Sequence, residues 1–194
     1  MKGLRRLMLI ALTLAVPNAT HPAPVLARAA GGAIAVRTAI EMIGVPYSWG
    51  GGGVKGPGFG TGRGARIRGF DCSGLTEYAW ARAGVLIGTT TYQQWRSGIR
   101  LTVEDVEPGD LVFYDNDPSH PGPEHVGLAV DATRIVHAPY TGQVVRLDPL
   151  NRRTLLGVVR PSGAAGNVDG ANAATTTDPP GGTGLSKAVS GPVP

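Results

Sequence analysis

Downstream of Glu107-Pro108-Gly109-Asp110, five short segments rich in β-branched and aromatic residues follow one another, and this run most constrains the fold. They are LVFY (111–114), HVGLAV (125–130), TRIVHA (133–138), VVRL (144–147) and LLGVVR (155–160), separated by turn residues. Upstream the pattern is helical. Val36, Ile40 and Ile43 follow a helical spacing from Ala33 until Gly44 and Pro46 end it. A second helix opens at Asp71-Cys72, with Asp71 as N-cap and Gly84 as terminator. Thr91–Arg96 forms a short third helix behind a Thr-x-x-Gln capping box, and Gly98 stops it. Helices first and strands after predict an α+β domain whose N-terminal helices pack on an antiparallel sheet of about five or six strands.

The ends of the chain read differently. Lys2, Arg5 and Arg6 precede the apolar run LMLIALTLAV (7–16), and small residues follow at Val25-Leu26-Ala27 or Ala27-Arg28-Ala29. This is the pattern of a secretory signal, and the run is too short to span a bilayer. No cysteine follows it, which disfavours a lipoprotein. Removing Lys2, Arg5 and Arg6 lowers the formal charge from +4 to +1, and no segment interleaves basic and aromatic residues, so nucleic acid is not expected as a partner. Residues 162–194 are Gly, Ala, Thr and Pro with few large apolar groups, which predicts a disordered tail. The expected organisation is therefore 1–29 signal and linker, 30–161 folded domain, and 162–194 tail, a monomer with no stable membrane insertion once the signal is cleaved.

Cys72 is the single cysteine of an exported chain, where cysteines usually pair. A buried small hydrophobe, an intermolecular disulfide, a metal ligand and a nucleophile are the four readings. In the first turn of a helix, unpaired N–H groups and the helix dipole favour a thiolate. Gly74 lets another chain segment approach closely. A nucleophile needs a base, and His120, His125 and His137 remain after signal removal. If Asp131-Ala132 is a two-residue hairpin turn, residue 125 pairs with 138 and 126 with 137, bringing His125 and His137 to one end of the sheet. A zinc site of one cysteine and three histidines has suitable ligand types but no short ligand spacing, and His120 sits in a Pro-rich loop.

PYSWGG (46–51), GFDCSGL (69–75), PGDLVFY (108–114), HVGLAV (125–130) and IVHA (135–138) together resemble the NlpC/p60 family of bacterial cell-wall peptidases, its actinobacterial members most closely. The resemblance runs from Val36 to Arg160. It implies a papain-like fold and hydrolysis of peptidoglycan stem peptides, commonly between D-γ-glutamate and meso-diaminopimelate, with no cofactor and no metal. It further implies Cys72 as nucleophile, His125 as general base and His137 as the third, orienting residue, with Tyr47 beside the nucleophile and near the oxyanion. Asp71 and Ser73 match motif positions that help hold substrate, Asp71 doubling as N-cap. Two departures stand out. Gly88-Thr89-Thr90 replaces a frequent Pro-Arg-Ser, leaving Thr90 as the available hydroxyl. The loop 50–69 is long and carries Lys55, Arg63, Arg66 and Arg68; it suits either stem-peptide carboxylates or a solvated, protease-sensitive loop, and the solvated reading is preferred. A non-catalytic peptidoglycan-binding protein, and an amidase or acyltransferase on the same fold, are the alternatives.

Overall fold

Alanine dominates the first helix, α1 (Ala23–Ile40). The computed structural model describes residues 23–117, 119, 120 and 122–162; the apolar run at 7–16 and all of the expected tail but Ser162 lie outside them. The helix starts at Ala23, well before the Ala33 read from hydrophobic spacing, because alanine favours helix without drawing an apolar stripe. It faces the core through Ala35 and Ala39, both fully buried, while Ile40 and Ile43 are exposed. Of the three large apolar residues in that spacing, Val36 packs against the core and the two isoleucines do not. Beyond Ile40 the backbone tightens, with Met42 N–H donating to Ala39 and Ile43 N–H to Ile40.

The second helix, α2 (Cys72–Arg82), lies where Asp71 and Gly84 place it. The Asp71 carboxylate accepts the Gly74 N–H at 2.7 Å, the bond expected of an N-cap. Leu75 and Ala79 are fully buried on its inner face, and Trp80 Nε1–H donates to the Gly109 carbonyl at 3.1 Å. A third helix, α3 (Thr91–Gln94), is capped by Thr90, whose hydroxyl accepts from Gln93 N–H.

Six strands form one antiparallel sheet: β3 (Gly98–Leu101), β4 (Leu111–Tyr114), β5 (His125–Ala129), β6 (Arg134–His137), β7 (Arg146–Pro149) and β8 (Leu155–Pro161), ordered β3-β8-β4-β5-β6-β7. The α+β class and strand number agree with expectation. Gly98, read as the end of a helix, opens β3 instead. The VVRL segment (144–147) also shifts: Val144 makes only an isolated bridge to Pro46, and β7 begins at Arg146. β4 is buried along its whole length because it is central and covered on both faces. Leu111 and Phe113 join the core under the helices with Val126, Leu128 and Val136. Val112 and Tyr114 point the other way, to Ala129, Ile135 and Leu150. Each such large side chain contributes about 1.5–3 kcal/mol of burial.

The Gly-rich loop is ordered, contrary to its composition. Its two short strands, β1 (Gly58–Phe59) and β2 (Arg68–Gly69), pair with each other. Ser48 lies buried beneath, its hydroxyl 2.7 Å from the Ile67 carbonyl and 3.2 Å from that of Gly64. The Arg63 guanidinium stacks 4.0 Å over the Trp49 ring. The preferred solvated reading therefore fails for the backbone, which is folded back on residues 46–51; Lys55, Arg66 and Arg68 do remain exposed.

Candidate active site

Cys72 is the first residue of α2, and a chain segment does press against that turn. A Cβ on Gly74 would lie 2.5 Å from the Gly51 carbonyl oxygen, so only glycine admits this approach. The same carbonyl accepts the Asp71 N–H at 2.9 Å. The Cys72 side chain is fully buried. Burial, and secondarily the Asp71 carboxylate, push its thiol up to about 12, outweighing the Val126, Ser73 and Cys72 backbone N–H groups that pull it down. The thiolate expected from helix position is thus corrected to a resting thiol, since desolvation exceeds the helix-end contribution.

The sulfur sits where the sheet opens. β5 and β6 are registered at Leu128–Val136 and Ala129–Ile135, so the start of β5 has an unpaired edge on that side. Cys72 Sγ occupies it, with its S–H directed at the Glu124 carbonyl 3.9 Å away and the Val126 N–H directed at the sulfur. These two backbone groups flank His125.

His125 and His137 meet on one face of the sheet. His125 Nε2 lies 2.7 Å from His137 Nδ1, with the ring planes 75° apart and the centroids 5.0 Å apart. The two-residue Asp131-Ala132 turn, however, is not what joins their strands. The Asp131 carboxylate accepts the N–H groups of Thr133 and Arg134 and the Thr133 hydroxyl, and Val130 N–H donates to Arg134. The turn therefore spans three residues, and the register moves by one. In the expected register 137 lay opposite 126, which puts the two imidazoles on opposite faces. In the observed one 137 lies opposite Gly127, and both rings share a face. A Cβ on Gly127 would come within 3.3 Å of His137 Cβ.

His125 Nδ1 is buried and has no hydrogen-bond partner among the described residues. Burial first, then His137, holds the His125 imidazole well below its ordinary range, so it rests neutral. Burial also lowers His137, against an opposing hydrogen bond to Asp148.

Asp148, on β7, escaped the sequence reading. Its Oδ2 lies 2.9 Å from His137 Nε2, 3.0 Å from Arg146 Nη2 and 2.8 Å from Arg152 Nη2. The hydrogen bond to His137, then Arg146, holds the carboxyl far below the usual carboxylate range. Asp148 pairs with Ile135 across β6–β7, so it sits diagonal to His137 on the same face. No local motif marks it in Leu-Asp-Pro.

Tyr47 is buried and bridges to Phe70, two residues before the nucleophile. Ser73 is buried, its hydroxyl within reach of the Thr89 carbonyl at 3.0 Å and Asp71 Oδ1 at 3.2 Å, which ties residue 89 to the start of α2. Thr90 is half-buried and occupied in capping α3. His120 is exposed and bonded to Asp117 at 2.8 Å.

Cys72 thus opens a helix with its sulfur against the start of the strand that carries His125, and His125 is bonded in turn to His137; a cysteine at a helix start beside a histidine-bearing strand is the arrangement of papain-like thiol enzymes. Residues 44–158 match the family model described as the NlpC/P60 family, and the chain belongs to that family. RipB from Mycobacterium tuberculosis, named a peptidoglycan endopeptidase, is 38% identical over 117 residues, 60% of this chain and 47% of RipB. RipA from Mycolicibacterium smegmatis, likewise named, is 36% identical over 115 residues, 59% of this chain and 22% of RipA. The chain thus matches about half the length of one and about a fifth of the other. The solved structure of the peptidoglycan hydrolase RipB superposes with a TM-score of 0.64 at 33% identity, covering 77% of this chain and 73% of RipB. RipD from M. tuberculosis, described as a non-catalytic NlpC/p60 domain protein adapted to peptidoglycan binding, gives 0.60 at 31% identity, covering 67% and 96%.

Proposed function

We propose that this chain is an exported cysteine endopeptidase of peptidoglycan stem peptides, cutting between D-γ-glutamate and meso-diaminopimelate. One observation carries the reading. His125 presents a buried, partnerless Nδ1 on the strand whose backbone cradles the Cys72 sulfur, while its Nε2 is bonded to His137 at 2.7 Å. That is the arrangement a thiol nucleophile and its base require. The names of RipA and RipB support peptidoglycan as substrate. The basic residues before the apolar run at 7–16 support export to the wall or periplasmic space.

Catalysis starts from a neutral pair. As the sulfur attacks the scissile carbonyl carbon, His125 Nδ1 takes the thiol proton and the carbonyl becomes an oxyanion. The Cys72 backbone N–H at the helix start, with the Tyr47 hydroxyl, stabilises that charge. The C–N bond then breaks as His125 returns its proton to the leaving amine, and a thioester remains on Cys72. Water gives a proton to His125 and attacks the thioester, releasing the acid and restoring the thiol. His137 orients His125 throughout.

Peptidoglycan binding without catalysis is the second reading, favoured by the likeness to RipD; the presence of Cys72, His125 and His137 together, with the two imidazoles bonded, weighs toward catalysis. The test incubates the full chain with purified diaminopimelate-type peptidoglycan and analyses the fragments by mass spectrometry. Wild type is expected to release fragments ending in D-γ-glutamate, and Cys72→Ala and His125→Ala to release none. Identical fragments from wild type and Cys72→Ala sink the enzymatic reading.

A further inference from the structure

We propose that Asp148 is a positioning residue that sets the direction in which both imidazoles carry their protons, keeping His125 Nδ1 a base toward Cys72. The proposal rests on the peptidase reading above and adds a residue to it. Hydrogen counting fixes the polarity of the chain. An ionised carboxylate only accepts hydrogen bonds. Asp148 Oδ2 lies 2.9 Å from His137 Nε2, so the hydrogen between them belongs to Nε2. A neutral imidazole carries one N–H, and His137 Nδ1 is therefore a lone pair. That lone pair is 2.7 Å from His125 Nε2, which must supply the hydrogen. His125 Nδ1 is then left as a lone pair, and it is the buried nitrogen without a partner. The carboxylate at the far end of the chain thus decides the protonation of an atom two rings away.

The opposite polarity has a ready source. Arg152 Nη2 lies 3.3 Å from His137 Nε2, and an arginine only donates. Were it to donate there, His137 would carry its proton on Nδ1 and His125 on Nδ1 as well, leaving no base facing the thiol. Asp148 forestalls this by binding Arg152 at 2.8 Å and Arg146 at 3.0 Å. Apart from the Cys72 thiol, the charged and titratable groups around the imidazole pair are Asp148 and Arg146 from β7, Arg152 from the following turn and Tyr114 from β4, whose ring is 5.8 Å from that of His125. Asp148 is the anion among them. It also balances the positive charge that appears on His125 when the thiol proton arrives.

The experiment combines ring ¹⁵N spectra of the labelled full chain with steady-state hydrolysis of purified peptidoglycan fragments. His21→Gln and His120→Gln clear the other two histidine signals. In wild type both His125 and His137 are expected in the Nε2–H form. Asp148→Asn, whose amide can donate as well as accept, is expected to populate Nδ1–H on His137 and lower kcat about 10²-fold with KM within about twofold; Asp148→Glu restores kcat to within about tenfold of wild type. His137 protonated on Nδ1 with Asp148 in place overturns the proposal, and this readout does not depend on an Asp148 variant folding. So does an Asp148→Asn protein that keeps both tautomers and kcat. If wild type hydrolyses no more than Cys72→Ala, the peptidase reading fails while the tautomers still decide the role of Asp148.

Discussion

His137 lies diagonal to His125 across the β5–β6 pair, and the 2.7 Å bond between their rings exists because the intervening turn holds three residues, not two. Side chains alternate faces along a strand, so one residue more or less in that turn separates the rings by the thickness of the sheet.

His137→Ala removes the acceptor that orients His125 and is expected to lower kcat about 10²- to 10³-fold. His137→Asn and His137→Gln keep an acceptor oxygen on the same strand and should lose about tenfold or less. Equal losses for all three, measured by fragment release, remove His137 from the catalytic unit.

Gly127→Ala tests the crowding behind the pair. The added methyl would approach Ile135 Cδ1 to 2.7 Å, Ile135 Cβ to 3.2 Å and His137 Cβ to 3.3 Å. Overpacking of this kind costs about 1–3 kcal/mol, and displacement of His137 should lower kcat more than KM changes. An alanine variant with wild-type Tm and kcat contradicts the register described.

The resting thiol has a signature in alkali. Burial raises Cys72 from 9.0 to about 12, so the folded state keeps a proton that the unfolded state releases. The stabilisation is complete below about pH 9 and is lost as pH climbs toward 12, at up to about 1.4 kcal/mol per unit. Wild-type Tm should therefore fall more steeply than that of Cys72→Ala between pH 9 and 11. Parallel slopes would mean the thiol is not held neutral. On the acid side, His125 is lowered below 6.5. Its contribution is complete above that value and declines as pH falls below it, because the unfolded chain takes up the proton first; His125→Gln should flatten this decline.

Ser48→Ala removes the hydroxyl that holds the loop carbonyls of Gly64 and Ile67, at a cost of about 1 kcal/mol. Trypsin should then cut after Arg66 or Arg68 faster than in wild type, as followed by intact mass. An unchanged cleavage rate would show that the pairing of β1 with β2 alone secures the loop.

How much of this was legible in the sequence follows from the range of each interaction. Asp71 as cap and Gly84 as terminator were readable because capping acts over three or four residues. LVFY, HVGLA and LLGVVR were readable because burial on a sheet leaves a local composition. The β3 strand was not, since Gly98-Ile99-Arg100-Leu101 owes its conformation to β8 beside it. Alanines 35 and 39 were passed over as the inner face of α1 because they carry little hydrophobic signal of their own.

By itself, then, the sequence determined the α+β order of elements, the cap at Asp71, and Cys72, His125 and His137 as the candidate site residues. The tertiary structure decided which face His137 takes, that the thiol is buried deeply enough to stay protonated, and that Asp148 ends the chain of imidazoles. Each of these depends on strand register or desolvation, set by residues distant in sequence. A three-residue turn closed by the Asp131 carboxylate differs from a two-residue one by a few hydrogen bonds, yet it places both imidazoles on one face of the sheet.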